Sequence, residues 1–298
     1  MAIIVNDDDG WWDTAQKEKK WWHFLVKNII SKGIMPKHIA FVMDGNRRFA
    51  KVNKLGSALN GHVKGFQQLA KILEWCQDFG IEEVTVYAFS IENFKRSTEE
   101  VNGLMSLAED KFSRLLNEKE KMEEKQISFR FFGNLSLLSP SLRKLILEIQ
   151  DVSKNFKKGI VNVCMPYTSR DEMERSFEII RRGVQEGLID KTDITETLIS
   201  SCMDSCRGCF PDLFIRTSGE HRMSDFMLWQ CSSAHIYFDD VLWPEFDFVN
   251  LGKAIVSYQF HHSSIQKFNN KLSITERENP KYQKFYEMVD AMKSYNEM

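Results

Sequence analysis

His38-Ile39-Ala40-Phe41-Val42-Met43-Asp44-Gly45-Asn46-Arg47-Arg48-Phe49-Ala50 is the stretch on which the reading of the chain turns. Ile39 to Met43 is a short apolar run of the kind that forms a buried strand. Asp44-Gly45-Asn46 then signals a turn, and two arginines follow before the chain becomes helical. A strand that ends in an acid, a glycine and free backbone amides is a good place to hold a phosphate. Helix-start amides offer partial positive charge there, and Arg47 and Arg48 add full charges. Asp44 repels phosphate, so its presence calls for a divalent cation between the two. A plain strand-to-helix turn with solvated arginines accounts for the same residues, and this stretch alone leaves both readings open.

Downstream, His62 to Phe79 spaces Phe66, Leu69, Ile72, Leu73 and Phe79 as one face of a helix that Gly80 ends. Val84 to Phe89 reads as a strand running into Ser90-Ile91-Glu92-Asn93-Phe94-Lys95-Arg96-Ser97. Ser97 and Glu100 form a capping-box signal for a helix through Lys125. Strands are expected at Ile127–Phe132, Ile160–Met165, Asp212–Arg216 and Ala234–Phe238. Helices are expected at about Pro140–Asn155, Asp171–Glu186 and Ile194–Cys202, and again after Phe246. Strands alternating with helices imply an α/β fold, a parallel sheet covered on both faces, with ligands beyond the carboxyl ends of the strands. Asp44 to Arg48, Ser90 to Arg96 and Arg216 to Ser224 all fall at such ends.

The 298 residues contain 40 basic and 42 acidic side chains, a balance that argues against a general nucleic-acid binder. No uncharged apolar run reaches the roughly 18 residues of a membrane span, and Asp7-Asp8-Asp9 stands where a signal peptide would carry basic residues. Six cysteines in so long a chain read as reduced. Cys202, Cys206 and Cys209 have the spacing of an iron–sulfur loop but follow a helix late in the chain, and are read as reduced loop cysteines. Trp11 to Ile30 has helical spacing, with Trp11, Trp12, Trp21, Trp22, Phe24, Leu25, Ile29 and Ile30 as its apolar members and Lys17, Lys19, Lys20 and Lys27 beside them. That composition suits a helix lying on a membrane surface, and equally one packed on its own domain.

The third cluster is the most specific. Asp212-Leu213-Phe214-Ile215-Arg216-Thr217-Ser218-Gly219-Glu220 continues through Arg222 and Ser224 to Trp229-Gln230. Two arginines six residues apart at a strand end can converge on one diphosphate with the Ser224 hydroxyl. Together with Met43 to Ala50, Phe89 to Phe94 and Leu242-Trp243-Pro244-Glu245, this cluster resembles the motifs of the cis-prenyltransferases, in order and at family spacing from about His38 to Tyr258.

The resemblance implies a mostly parallel six-stranded sheet wrapped by helices, with an apolar tunnel for the product, an N-terminal amphipathic helix and C-terminal helices. It divides the chain into a tail and amphipathic helix (1–32), a catalytic domain (33–262) and a helical extension (263–298). The implied reaction condenses isopentenyl diphosphate with an allylic diphosphate such as farnesyl diphosphate, with Mg²⁺ on Asp44. Gly45, Asn46, Arg47, Arg48, His62, Ser90, Asn93 and Arg96 would then belong to the allylic diphosphate region, with Asp44, Arg48 and Asn93 catalytic. Arg216, Arg222 and Ser224 would hold isopentenyl diphosphate. The final proton acceptor is left between Asn93 and a diphosphate oxygen.

The paired Arg47-Arg48, where bacterial enzymes carry Gly-Arg, points to the eukaryotic branch of the family. Two departures stand out: His235 occupies the place of a metal-binding glutamate, and no glycine follows Gly252 to make the family's Arg-x-Gly end. They imply a catalytically silent partner subunit resembling the Nogo-B receptor, with a homodimer as the other arrangement. The branch further implies peripheral attachment to the cytosolic face of the endoplasmic reticulum membrane.

Overall fold

All five residues of strand β1 (His38–Val42) are buried, which a strand in the middle of a two-sided sheet requires. In the computed structural model, which describes residues 10–12, 20–205, 210–269 and 280–297, β1 is joined by β2 (Glu83–Tyr87), β3 (Ile127–Phe132), β4 (Gly159–Cys164), β5 (Leu213–Arg216) and β6 (His235–Phe238). The order is β3-β4-β2-β1-β5-β6, and every neighbouring pair is parallel. The expected strands are therefore all present, shifted by at most two residues at either end.

Ile39 and Phe41 of β1 face the larger core, with Leu69, Ile72, Leu115, Ile146 and Trp243. Ala40 and Val42 face a smaller one around Phe214, Phe226 and Tyr167. The first core lies under α3 (Ala58–Asp78), α4 (Thr98–Asn117), α6 (Pro140–Ser153) and α9 (Phe248–Asn269). Side chains from α7 (Ser169–Gln185), α8 (Glu196–Cys202) and α10 (Gln283–Glu297) form a third cluster in which Phe285 and Val289 of α10 are fully buried. α9 runs without interruption through position 262, where the sequence suggests a division.

The edge strand β3 is closed off by side chains. Its outward amides at Phe129, Phe131 and Gly133 donate to Ser153 Oγ (3.0 Å), Gln150 Oε1 (2.9 Å) and Asp204 Oδ2 (2.9 Å). No row of free donors is left there for another strand to pair with.

Two expectations for the helices are corrected. The helix begun at Ser97 ends at Asn117, and a separate α5 covers Lys119–Lys125. Ser97 Oγ accepts the Glu100 amide at 3.3 Å, but the Glu100 carboxylate turns to Arg96, so the capping box is only half formed. At the N-terminus, helix α1 covers Trp21–Ile30 alone, while Trp11 and Trp12 sit in a bend and are buried. Trp11 packs edge-on against Phe66 (4.7 Å between centroids) and Phe129 (5.5 Å), and its indole N–H donates to the Lys111 carbonyl at 2.7 Å.

The inner face of α1 does pack on its own domain. His23 stacks on Phe248 at 4.3 Å, and a Cβ at Gly252 would come within 3.1 Å of Ile30, so the glycine lets α1 lie close to α9. Among the described residues no helix is long and apolar enough to cross a membrane. Cys76, Cys164, Cys202 and Cys231 are buried; Cys206 and Cys209 lie outside the described residues.

Candidate active site

β1 and β5 lie side by side with Val42 opposite Arg216, so the chain leaving β1 at Asp44 and the side chain ending β5 meet at the carboxyl end of the sheet. Arg216 is only 2% exposed. Its Nη2 donates to Asp44 Oδ2 at 2.8 Å, and its Nη1 donates to Ser224 Oγ at 2.6 Å and to the Arg222 carbonyl. Its Nε is buried without a hydrogen-bond partner. Thr217 donates its hydroxyl to the Asp44 carbonyl (2.8 Å) and accepts the Asp44 amide (3.1 Å), fixing the turn from the β5 side.

Gly45 has φ +108°, and a Cβ there would meet Leu242 at 2.9 Å, so both conformation and space require glycine. No side-chain hydrogen bond caps α2 (Asn46–Val52), whose first-turn amides, like those of any helix, have no partner within the helix. Asn46 donates its side-chain amide to the Met43 carbonyl at 3.2 Å and presses against α3 at Gly61 and Gly65. Trp243, fully buried, donates its backbone N–H to Asp44 (3.0 Å) and its indole N–H to Gly65 (2.8 Å). The Leu242-Trp243 segment thus locks the Asp44 turn to α3, the helix that carries His62.

His62 faces the same space. Burial, then the nearby Arg96 guanidinium, lowers its pKa from 6.5 to about 4, with Glu100 opposing and Arg47 adding to the fall. Its Nε2 is buried without a partner. Arg96 donates to Glu100 Oε1 at 2.8 Å, and Arg47 lies 4.0 Å from the same oxygen. Burial and then Arg47 lower the Arg96 pKa, which marks a crowded patch of positive charge. Ser90 caps the 3₁₀ turn Ile91–Lys95, and the Asn93 Oδ1 accepts the Ser90 amide at 3.1 Å, so this turn sets where Arg96 emerges. Sequence reasoning missed Glu100 as a partner of the site, and missed Glu92, Arg170 and Asp225 in the lining of its cavity. The position of Glu100 three after Ser97 marks it as a cap, while its carboxylate is the counter-ion of Arg96.

Asp44, Asn46, Arg47, His62, Ser90, Asn93, Arg96, Arg216, Arg222 and Ser224 all line one cavity of about 610 Å³. Apolar side chains, Phe66, Leu69, Leu104, Ala108, Val163, Met165 and Trp11 among them, also line it, and the buried Lys111 places its ammonium 4.8 Å from the centre of the Phe66 ring. Gly45 and Arg48 are not part of the lining. Arg48 turns to Ser218 and Glu220, and Arg222 also bonds to Glu220.

The carboxylate set bears on metal binding. Among the described residues no three His, Cys, Asp or Glu side chains cluster as a cage. The carboxylates that line the cavity are Asp44, Glu92 and Asp225, and of these Asp44 is the one bonded to Arg216. So small a carboxylate set suits Mg²⁺, which takes one or two carboxylates and completes its shell with substrate phosphate and water. His235 is elsewhere: it begins β6 opposite Leu213, at the far end of the strand from the Asp44 turn, and its Nε2 bonds with Ser257 Oγ at 2.9 Å.

A family model described as "Putative undecaprenyl diphosphate synthase" matches residues 42–266. The chain is 50% identical over 246 residues to the human "Dehydrodolichyl diphosphate synthase complex subunit DHDDS", covering 83% of this chain and 74% of that protein. It is 38% identical over 239 residues to a dehydrodolichyl diphosphate synthase complex subunit of Schizosaccharomyces pombe, covering 80% and 90%. Among solved structures, lavandulyl diphosphate synthase from Lavandula x intermedia, crystallised with dimethylallyl diphosphate, superposes with a TM-score of 0.72 at 31% identity. That match covers 76% of this chain and 95% of the other.

Proposed function

Because the chain belongs to the cis-prenyltransferase family, as the match over residues 42–266 shows, we propose that it elongates an allylic diphosphate with isopentenyl diphosphate. The substrate we assign to the allylic position is farnesyl diphosphate, and the product a long polyprenyl diphosphate destined for dolichol and protein glycosylation. The observation that carries this reading is one cavity lined by both cationic and apolar side chains. A polyprenyl diphosphate needs both, and about 610 Å³ lies in the range of roughly 300–1,000 Å³ that takes a ligand of modest size.

The demand of the chemistry is to break an allylic carbon–oxygen bond while negative charge builds on the departing diphosphate. We assign the neutralisation of that charge to Arg47 and Arg96, which line the cavity. His62, neutral at pH 7, offers an N–H rather than a charge. Mg²⁺, when bound with the diphosphate at Asp44, supplies further neutralisation of that charge. Arg222 and Ser224 hold the second diphosphate, and Arg216 joins their loop to Asp44, keeping the two substrates in register. The carbonyl oxygen of Asn93 is engaged by the Ser90 amide, and an amide is a poor base. We therefore assign the final proton to a diphosphate oxygen and keep Asn93 as a donor to substrate.

We further propose a non-catalytic partner resembling the Nogo-B receptor, in keeping with the "complex subunit" in the names of the human and mouse relatives. The uncovered side of β6 and α9, where Ile236 is 40% and Phe260 81% exposed, is the surface we assign to it. Location at the cytosolic face of the endoplasmic reticulum, held peripherally by α1, completes the reading. Incubation of the full chain with farnesyl diphosphate, radiolabelled isopentenyl diphosphate and Mg²⁺, with and without the partner, tests it. Label in long polyprenyl products supports the assignment, and none under either condition refutes it.

A further inference from the structure

We propose that Asp225 and Arg170 form a positioning pair that holds the turn Ser224–Met227 in the shape the isopentenyl diphosphate subsite needs. The proposal rests on the functional reading above and adds to it two residues outside the expected set. Its starting point is strain. Ser224, Asp225 and Met227 have φ of 50°, 58° and 46°, a left-handed conformation that side-chain-bearing residues avoid, and no glycine relieves the turn. Such a backbone persists only where its surroundings over-determine it.

Those surroundings are the first residues of α7. The Asp225 carbonyl accepts the Ser169 amide at 2.8 Å, and Ser169 Oγ accepts the Leu228 amide at 2.8 Å. Asp225 Oδ1 accepts the Arg170 amide (3.2 Å) and Oδ2 accepts Arg170 Nε (2.8 Å), so the carboxylate straddles backbone and side chain of one residue. Phe226 is driven into the small core, stacked on Tyr87 with centroids 4.4 Å apart. Gln230 anchors the far side of the turn on the buried Glu172 at 2.9 Å.

The consequence falls on the site. With the turn gripped this way, Ser224 Oγ lies 2.6 Å from Arg216 Nη1, and the Arg222 carbonyl bonds to the same nitrogen. Relaxation of the turn toward negative φ would carry Ser224 and Arg222 away together. An exposed ion pair contributes little in general, but here only Arg170 is exposed. The Asp225 side chain is 12% exposed and also bonds to a backbone amide.

Three variants separate grip from strain. Asp225→Gly removes the carboxylate and relieves the backbone, Asp225→Asn tolerates the left-handed conformation and keeps one acceptor, and Arg170→Ala removes the exposed partner. The full chain is assayed for KM of each diphosphate, for isopentenyl diphosphate binding by calorimetry, and for thermal stability. Asp225→Gly and Arg170→Ala are expected to raise KM and Kd for isopentenyl diphosphate about tenfold or more, one charged contact's worth, with Asp225→Asn in between. The KM of the allylic substrate and the melting temperature should stay near those of the parent. Parental isopentenyl diphosphate KM in both Asp225→Gly and Arg170→Ala overturns the proposal, as does an equal rise for both substrates. A parent chain that neither binds nor incorporates isopentenyl diphosphate would instead refute the functional reading on which it stands.

Discussion

Arg216 Nη2 sits 2.8 Å from Asp44 Oδ2, so the acid to which we assign a cation is the counter-ion of a buried arginine. The same guanidinium holds Ser224 through its other terminal nitrogen. Two motifs 172 residues apart are thereby one structural unit. Both Asp44 oxygens are engaged, Oδ2 by Arg216 and Oδ1 by the Gly45 amide at 2.7 Å, so a cation held by Asp44 would have to share this carboxylate with them.

Asp44→Ala should lower turnover by about a hundredfold or more, the scale of one lost transition-state contact. Sequence alone suggests that the fold would be untouched, but the ion pair changes that expectation. Arg216 would be left as a buried cation, and we expect a loss of about 1–3 kcal/mol, less than the roughly 3–5 of a fully enclosed pair because Asp44 keeps contact with water. The double variant Asp44→Ala/Arg216→Ala should recover part of the stability and none of the turnover. Urea unfolding and steady-state rates of the single and double variants check this; a single variant within a few-fold of the parent at saturating Mg²⁺ would remove Asp44 from the mechanism.

His62 gives a pH signature whose sign is fixed by its environment. Its pKa is about 4 in the fold against 6.5 for the free side chain. Between those values the unfolded chain binds the proton and the folded chain does not. Its contribution is therefore intact above pH 6.5 and is lost as pH falls to about 4, by up to about 3 kcal/mol. His62→Gln should flatten this acid limb, and saturating pyrophosphate should shrink it in the parent, because a bound anion favours the imidazolium. An acid limb of equal depth in the variant would assign the loss to other groups.

Much of this site was legible in the sequence because its parts are local. Asp44-Gly45-Asn46 ends a short apolar run, and the strand–helix alternation was enough to put both that end and Arg216 at the carboxyl ends of strands. What pairs with what was not legible. Glu100 and Arg96 are four apart on the chain, yet only folding turns the Glu100 carboxylate away from the helix cap. Asp225 and Arg170 are 55 residues apart, and nothing in their local patterns announces a strained turn. Trp11 and Trp12 read as helix-face residues because tryptophans and lysines alternate there; the pocket of Phe66 and Phe129 that takes Trp11 comes from distant elements.

Trp11 is among the residues that line the cavity, and on the functional reading proposed above we place its indole in the path of the growing chain. Trp11→Ala would cost about 3–5 kcal/mol as a core truncation, which confounds any effect on product length. Trp11→Leu keeps apolar contact and is the informative change. We expect it to shift products toward longer chains with an unchanged KM for isopentenyl diphosphate, read by chromatography of the labelled products. An identical product distribution would mean that the growing chain leaves by another path.

The two readings of the N-terminal helix divide between its two faces. His23 and Ile30 pack inward, and the Ile30 carbonyl accepts the Gln259 side-chain amide at 2.8 Å. Trp21 and Ile29, on the other hand, are 78% and 70% exposed, with Phe24 between them and Lys20 and Lys27 on the same helix or at its start. Large apolar side chains left in water beside lysines suit an anionic bilayer, since each fully buried side chain gains about 1.5–3 kcal/mol and each lysine near the surface about 1. Replacing Trp21, Phe24 and Ile29 together by serine should lower co-sedimentation with anionic phospholipid vesicles at least about tenfold. The melting temperature should hardly move, because those side chains touch little of the fold. Raising salt should weaken the parent's binding by screening the lysines. Trp22→Ala, in contrast, should destabilise the protein, because Trp22 contacts Phe248 on the inner side. If the triple variant sediments with vesicles as the parent does, α1 serves only to cover α9 and the membrane contact lies elsewhere.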